Sequence, residues 1–343
     1  MQLEPFNGLI IDVSVTKTFS KEFSELFKDT LGTGMKSHLN PLSAGGFDIS
    51  YMALNTFFDK HDPNVLSDLF KTFESNRQTI STRVAEKNPY WDNKKDPEGY
   101  ALGYGKYSQD VLIPAFIAAY TGKSPQSVSL LNQNNSSIRS NPFSGLLPKP
   151  NWNILYNGLS KIPALATVFS NISLTHGYNG SLSMNSFTSS LLYVDRGFLG
   201  APSFIDPISG NYIPYFLVPN ITISERMEPL IGINITTVTQ WSLRFEYKKS
   251  RLLTLSLVDY QLSENNSKEW VFGTSYRARG LKLPFTIPGL NNNKLSNDLT
   301  MRIDVALRDM YNSNSRLDQA NAYGTGGQKD ITIQPSIDYV LNS

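Results

Sequence analysis

Histidines, carboxylates and glycines at set spacings are what an active site would be built from, and in this chain they are thinly spread. The three histidines, His38, His61 and His176, lie far apart and none belongs to an HExxH pair, so no zinc site or imidazole base is suggested by spacing. His176, in "THGY", reads as a structural residue on a strand face. Cysteine is absent, which removes thiolate nucleophiles, thiolate metal sites and disulfide frameworks. In "GYALGYGKYS" the glycines Gly99, Gly103 and Gly105 lack the phosphate-cradling GxGxxG or Walker spacing, so this stretch reads as a turn. The Asp and Glu residues show no calcium-loop pattern. No enzyme, cofactor or metal is expected from these residues.

The charges become informative once the elements that carry them are considered. In "LTMRIDVALRDMY", Leu299 to Tyr311, the apolar Leu299, Met301, Ile303, Val305 and Leu307 alternate with Thr300, Arg302, Asp304, Ala306 and Arg308. Strict alternation marks a strand with two unlike faces. Trp241, Leu243, Phe245 and Tyr247 alternate in the same way with Ser242, Arg244, Glu246 and Lys248. Similar segments run through Leu9–Val15, Phe47–Tyr51, Trp152–Tyr156, Leu253–Leu257 and Ile331–Tyr339. About ten strands are expected, many longer than the ~5–6 residues usual in soluble sheets. A soluble sandwich would bury the apolar face in a core. A membrane barrel would turn it to lipid and hold both signs of charge in a wet interior, which makes Arg244, Glu246, Lys248, Arg302, Asp304 and Arg308 candidate lumen-facing residues. Trp241, Tyr247, Trp270, Tyr276, Tyr311 and Tyr339 fall at or near strand ends, where rings form interfacial girdles. Thirteen residues at ~3.3 Å each, tilted by ~40°, cross a ~30 Å hydrocarbon layer.

Composition agrees. Charged residues are 17% and aromatics 12% of 343 residues, with 17 Tyr and 19 Phe, and the net charge is only +2. There is no basic field for nucleic acid. The longest apolar run, "VLIPAFIAAY", is about half of a spanning helix. Residues 59–150 differ from the rest: Asp62 and Pro63 predict a helix start, with Leu66, Leu69, Phe70 and Phe73 on one face. A second helix is predicted from Ser108 to Gly122, with Pro114 inside it. Three parts are therefore expected: barrel strands over 1–58, a polar, extramembrane insertion with helices over 59–150, and barrel strands with loops over 151–343.

Six segments in order, "GYGKYSQDVLIPAFIAAYTGK", "PKPNWNILYNGLSK", "LTHGYNGSLSMNSF", "ISERMEPLIGINIT", "RFEYKKSRLLTLSLVDYQLSE" and "QPSIDYVLN", closely resemble the C-terminal region of the SprA/Sov family. That family is the giant outer-membrane translocon of type IX secretion, tied in some bacteria to gliding motility. The resemblance covers nearly the whole chain, which would be a small part of a family member. It implies an all-β-dominated fold, an antiparallel transmembrane β-barrel segment, in the outer membrane of the bacterial cell envelope and exposed at the cell surface. It implies protein transport: secreted cargo proteins pass folded, and the partners are an accessory FadL-like outer-membrane barrel and a periplasmic plug protein. The chain is accordingly expected to be a fragment that cannot close the pore alone. The "MQLEPFNGLIIDVSV" start, without a basic n-region, fits that expectation. The alternative is a secreted β-sandwich that binds carbohydrate or protein on exposed Trp and Tyr.

Overall fold

The computed structural model describes residues 1–339 apart from 31, 33, 60, 61, 63, 64, 134–139, 280–297, 318, 320 and 321. The fold is mainly antiparallel sheet. Twelve strands are described: β1 (Gln2–Phe6), β2 (Leu9–Ser14), β3 (Lys17–Lys28), β4 (Ser37–Ser50), β5 (Asn151–Tyr156), β6 (Phe169–Ser189), β7 (Phe216–Leu217), β8 (Asn220–Thr237), β9 (Trp241–Ser256), β10 (Gln261–Ala278), β11 (Leu299–Arg316) and β12 (Ala322–Tyr339). They form one open sheet ordered β1-β2-β5-β6-β8-β9-β10-β11-β12, in which β4 also joins β6 and carries β3. Period-two sequences made the long strands β9 to β12, and these pair in register with one irregularity among them, between Asn312 and Ser313.

Where β2, β3, β4 and β5 lie explains the architecture. β6 is 21 residues long; its Ser181-to-Thr188 part meets β4, and its Leu174-to-Tyr178 part meets β5. β4 and β5 are thus two halves of one strand position. Between them, residues 51–150 leave the sheet after Ser50 and return at Asn151. The exit and return abut, since the Lys149 N–H donates to the Ser50 carbonyl at 2.8 Å. Gly180 lies at this joint: a Cβ there would meet the Tyr51 carbonyl oxygen at 2.2 Å.

The excursion holds three helices, α1 (Leu54–Phe57), α2 (Asp68–Ala85) and α3 (Gln109–Thr121). α1 lies ahead of residue 59, so the non-sheet segment opens earlier than the sequence predicts. α2 begins at Ser67, whose side chain accepts from the Phe70 N–H at 3.1 Å, rather than near Asp62; Leu66 precedes the helix, while Phe70 and Phe73 are fully buried. Ser67 offers a hydroxyl cap directly before a long helical run, and that is the stronger start signal. Pro63 and His61 lie outside the described residues. α3 runs from its N-cap Ser108 to Gly122, which is left-handed at φ +65°, with Pro114 inside, as predicted.

α3 is buried along most of its length, because the excursion folds back onto one face of the sheet. Phe47, Ile49, Leu182, Met184, Ile221, Ile223, Leu253 and Leu255 meet Phe70, Phe73, Ile113 and Phe116 in one core. Each such fully buried side chain contributes about 1.5–3 kcal/mol.

Candidate functional site

The register of β8 to β12 sorts every side chain onto one of two faces. On one face, successive cross-strand rows read Trp241–Tyr276–Met301–Ile337, then Leu243–Thr274–Ile303–Pro335, Phe245–Phe272–Val305–Ile333 and Tyr247–Trp270–Leu307–Ile331. Ile235, Ile233 and Ile231 of β8 extend these rows beyond β9. Leu174 of β6, Ile154 and Tyr156 of β5, and Leu9 and Ile11 of β2 extend them further. The result is an apolar band across eight neighbouring strands. Among the described residues nothing covers it at its far end: Ile303 is 48%, Ile333 63% and Ile337 71% exposed.

Aromatic pairs mark its margins. Trp241 lies against Tyr276 at 4.9 Å, and Tyr247 stacks on Trp270 at 4.2 Å, at the two ends of the four rows. Tyr339 pairs with Leu299 one row below. Tyr311 belongs to the same face but sits two rows above Leu307, beside Asn266. The predicted aromatics therefore share one face, at four levels, but Tyr247, Trp270 and Tyr311 lie well inside their long strands rather than near the ends, because the strands run on past the apolar rows.

The opposite face is polar. It carries Arg244, Glu246 and Lys248 of β9, and Arg302, Asp304 and Arg308 of β11, so all six predicted charged residues lie on it together. Arg244 pairs with Glu246 at 2.8 Å, Lys248 with Glu269 at 3.4 Å, and the Arg302 guanidinium donates to Asp304. Arg308 donates from Nε to the Ser267 hydroxyl at 3.3 Å. Gly273 makes room for this cluster: a Cβ there would meet Asp304 Oδ1 at 2.5 Å and the Arg244 Cβ at 3.3 Å. These partly exposed pairs contribute little to stability, at most about 1 kcal/mol each, but they hold both signs of charge fixed on a wet surface.

Above the apolar band, a row of charge, Lys249–Lys268–Asp309–Lys329, interrupts the apolar face. The next row holds a buried ion pair that spacing alone did not single out. Arg251 Nη2 meets Glu225 Oε2 at 2.6 Å, with side chains 3% and 0% exposed. Arg251 Nη1 donates to the Thr56 carbonyl at 2.8 Å. Glu225 Oε1 accepts from the Ala53 N–H at 3.0 Å and from the Tyr178 hydroxyl at 2.8 Å. Lys249 donates to the Phe57 carbonyl at 2.6 Å and lies over the Phe57 ring. The sheet thus grips α1, the first element of the excursion, through charges whose hydrogen-bonding capacity is largely used. The signal was a breach of parity: Arg251 shares the odd positions of β9 with Leu253 and Leu255, and Glu225 those of β8 with Ile221 and Ile223.

His176 lies on β6, its Nδ1 2.6 Å from the Leu230 carbonyl. Among the described residues no group of three or more His, Asp or Glu is placed to hold a metal ion. Among the described residues no helix is long and apolar enough to cross a membrane. Scanned against protein-family models the chain matches none, and a search of curated proteins likewise finds no match.

Proposed function

We propose that this chain is a wall segment of an outer-membrane, protein-conducting barrel of the type IX secretion kind. The observation that carries the membrane part is the apolar band across eight strands, edged by aromatic rings and backed by a polar, charged face. From the Leu299–Tyr339 row to the Lys249–Asp309–Lys329 row is ten residues, or ~33 Å along a strand and ~25 Å at a ~40° tilt. That matches the apolar height of an outer-membrane barrel. In this reading Met301, Ile303 and Val305 face lipid, and Arg244, Glu246, Lys248, Arg302, Asp304 and Arg308 face a water-filled interior.

The helical excursion then lies outside the bilayer. It packs on the lipid-facing side of the sheet but beyond the charged row, where the strands project past the interface. Long connections favour the extracellular side. The open edges at β1 and β12 need further strands for the wall to close, since an unpaired edge within lipid leaves backbone groups without partners. Passage of secreted cargo and contact with a FadL-like barrel and a plug protein rest on the family resemblance. The chain performs no covalent chemistry in this reading.

Spin labels in bilayers test the membrane part. A label at Ile303 should be relaxed by oxygen dissolved in lipid, and one at Arg302 by a water-soluble reagent. Shielding of position 303 from both would mean that a second protein layer covers the band. For the conducting part, a photo-crosslinker at Arg302 in secreting cells should capture cargo, while one at Ile303 should not. Capture at neither site would remove the transport reading and leave a passive wall.

A further inference from the structure

A cleft of about 530 Å³ opens far from the apolar band, between the β9–β10 turn, the start of α3 and the segment 209–219. None of the residues lining it is charged. Tyr107 and Tyr260 form one wall, their rings 4.8 Å apart and tilted by 42°. Ser108, Ser186 and Thr188 also line it, and the Ser108 side chain makes no capping hydrogen bond to α3. Two lining residues hold the left-handed conformation that glycine favours: Tyr260 at φ +52° and Ser186 at φ +63°. Tyr260 ends the four-residue turn between β9 and β10, and Ser186 sits at the irregularity where β6 meets β4, so turn and bulge geometry set both conformations and fix where these side chains stand. Neither position is a glycine in the sequence, although glycine would relieve both.

We propose that this cleft binds the ring of a neutral sugar. Tyrosine faces stack on the C–H surface of a pyranose, and the serine and threonine hydroxyls suit its hydroxyls. The absence of charge disfavours nucleotides, acidic peptides and uronic acids, for which a buried charge would need an ion partner. The site depends on the cleft alone and stands whether or not the wall lies in lipid. The sugar is either a free glycan or the headgroup of a glycolipid, and the chemistry recognised is the same.

The test is saturation-transfer NMR of the full chain in a zwitterionic detergent. The probes are methyl α-glucoside, methyl α-mannoside and N-acetylglucosamine, with glucuronate as the charged comparison. Ring-proton signals are expected for at least one neutral probe and not for glucuronate. The decisive variant is Tyr260→Gly, which relieves the backbone while removing the ring. It should keep the parent's circular dichroism and lose the sugar signal at least tenfold, whereas Trp270→Ala, on the apolar band, should leave that signal unchanged. Micelles of a neutral glycolipid distinguish the sources: saturation of their headgroup in addition to the free glycoside points to a glycolipid, and of the glycoside alone to a free glycan. No signal from any neutral probe, an equal signal from glucuronate, or an unchanged signal in Tyr260→Gly would each overturn the proposal.

Discussion

At the scale of single residues, the buried Arg251–Glu225 pair is costly to disturb. Removing one partner leaves the other charged, buried and unsatisfied, so Glu225→Gln or Arg251→Met should cost about 3–5 kcal/mol. Replacing both with Met should recover much of that, because two apolar side chains leave no buried charge behind. Chemical unfolding of the three variants, followed by tyrosine fluorescence, checks the sign of the coupling. A second residue-scale prediction concerns Asp110, in the first turn of α3. Burial pushes its carboxyl up to about 7, while hydrogen bonds from Gln133, 2.7 Å away, and from Gln109 hold it back. In the unfolded chain it ionises in the ordinary carboxylate range. The folded state therefore has its full stability below about pH 4 and loses it as pH rises through about 7. Melting points of Asp110→Asn should lack this fall between pH 4 and 7 while the parent shows it.

At the scale of elements, β11 is the most informative strand. With Ile303 facing lipid, Ile303→Arg near mid-strand should cost roughly 2–4 kcal/mol. Thr300→Arg, whose head group stays solvated on the polar face, should cost much less. Equilibrium unfolding in lipid vesicles compares the two, and equal costs would contradict the two-faced strand. The strands and α3 were legible because their patterns are local: period two over β9, β11 and β12, and a serine start with a glycine stop around α3. α2 was misplaced at its start because Asp62-Pro63 and Ser67 both resemble caps, and only burial of Phe70 and Phe73 decides between them. The split of one strand position into β4 and β5 was not legible at all. Each half reads as an ordinary short strand, and nothing local tells that Ile49 and Trp152 lie along the same line. Arg251 and Glu225 were readable in principle, as charges on apolar parity, but only a strand's register shows that they face each other. The cleft residues gave no pattern, since Tyr107, Ser186 and Tyr260 come from three distant segments.

At the scale of the whole molecule, one face of the sheet is treated in two ways along its height. Its upper part is finished as a protein core under the helices, and its lower part is an exposed apolar band, which in the proposed function faces lipid. Replacing residues 52–148 by a short glycine–serine link should therefore expose Leu253, Leu255, Ile221 and Ile223 above the charged row. Such a chain is expected to self-associate even in detergent that keeps the parent dispersed, as sedimentation would show. The joint at Ser50 and Lys149 also has a consequence for the order of events during synthesis. Strands that are neighbours in the chain pair by closing short loops, as β8 to β10 do here. Here Leu9 of β2 pairs with Tyr156 of β5, so the lower left of the sheet waits until the whole excursion has emerged. Closing so long a loop is slow unless its ends are already brought together. Folding of the helices does that by placing Lys149 beside Ser50. The excursion acts in this sense as a timing device: its own collapse sets when the two halves of the sheet can be stitched across it.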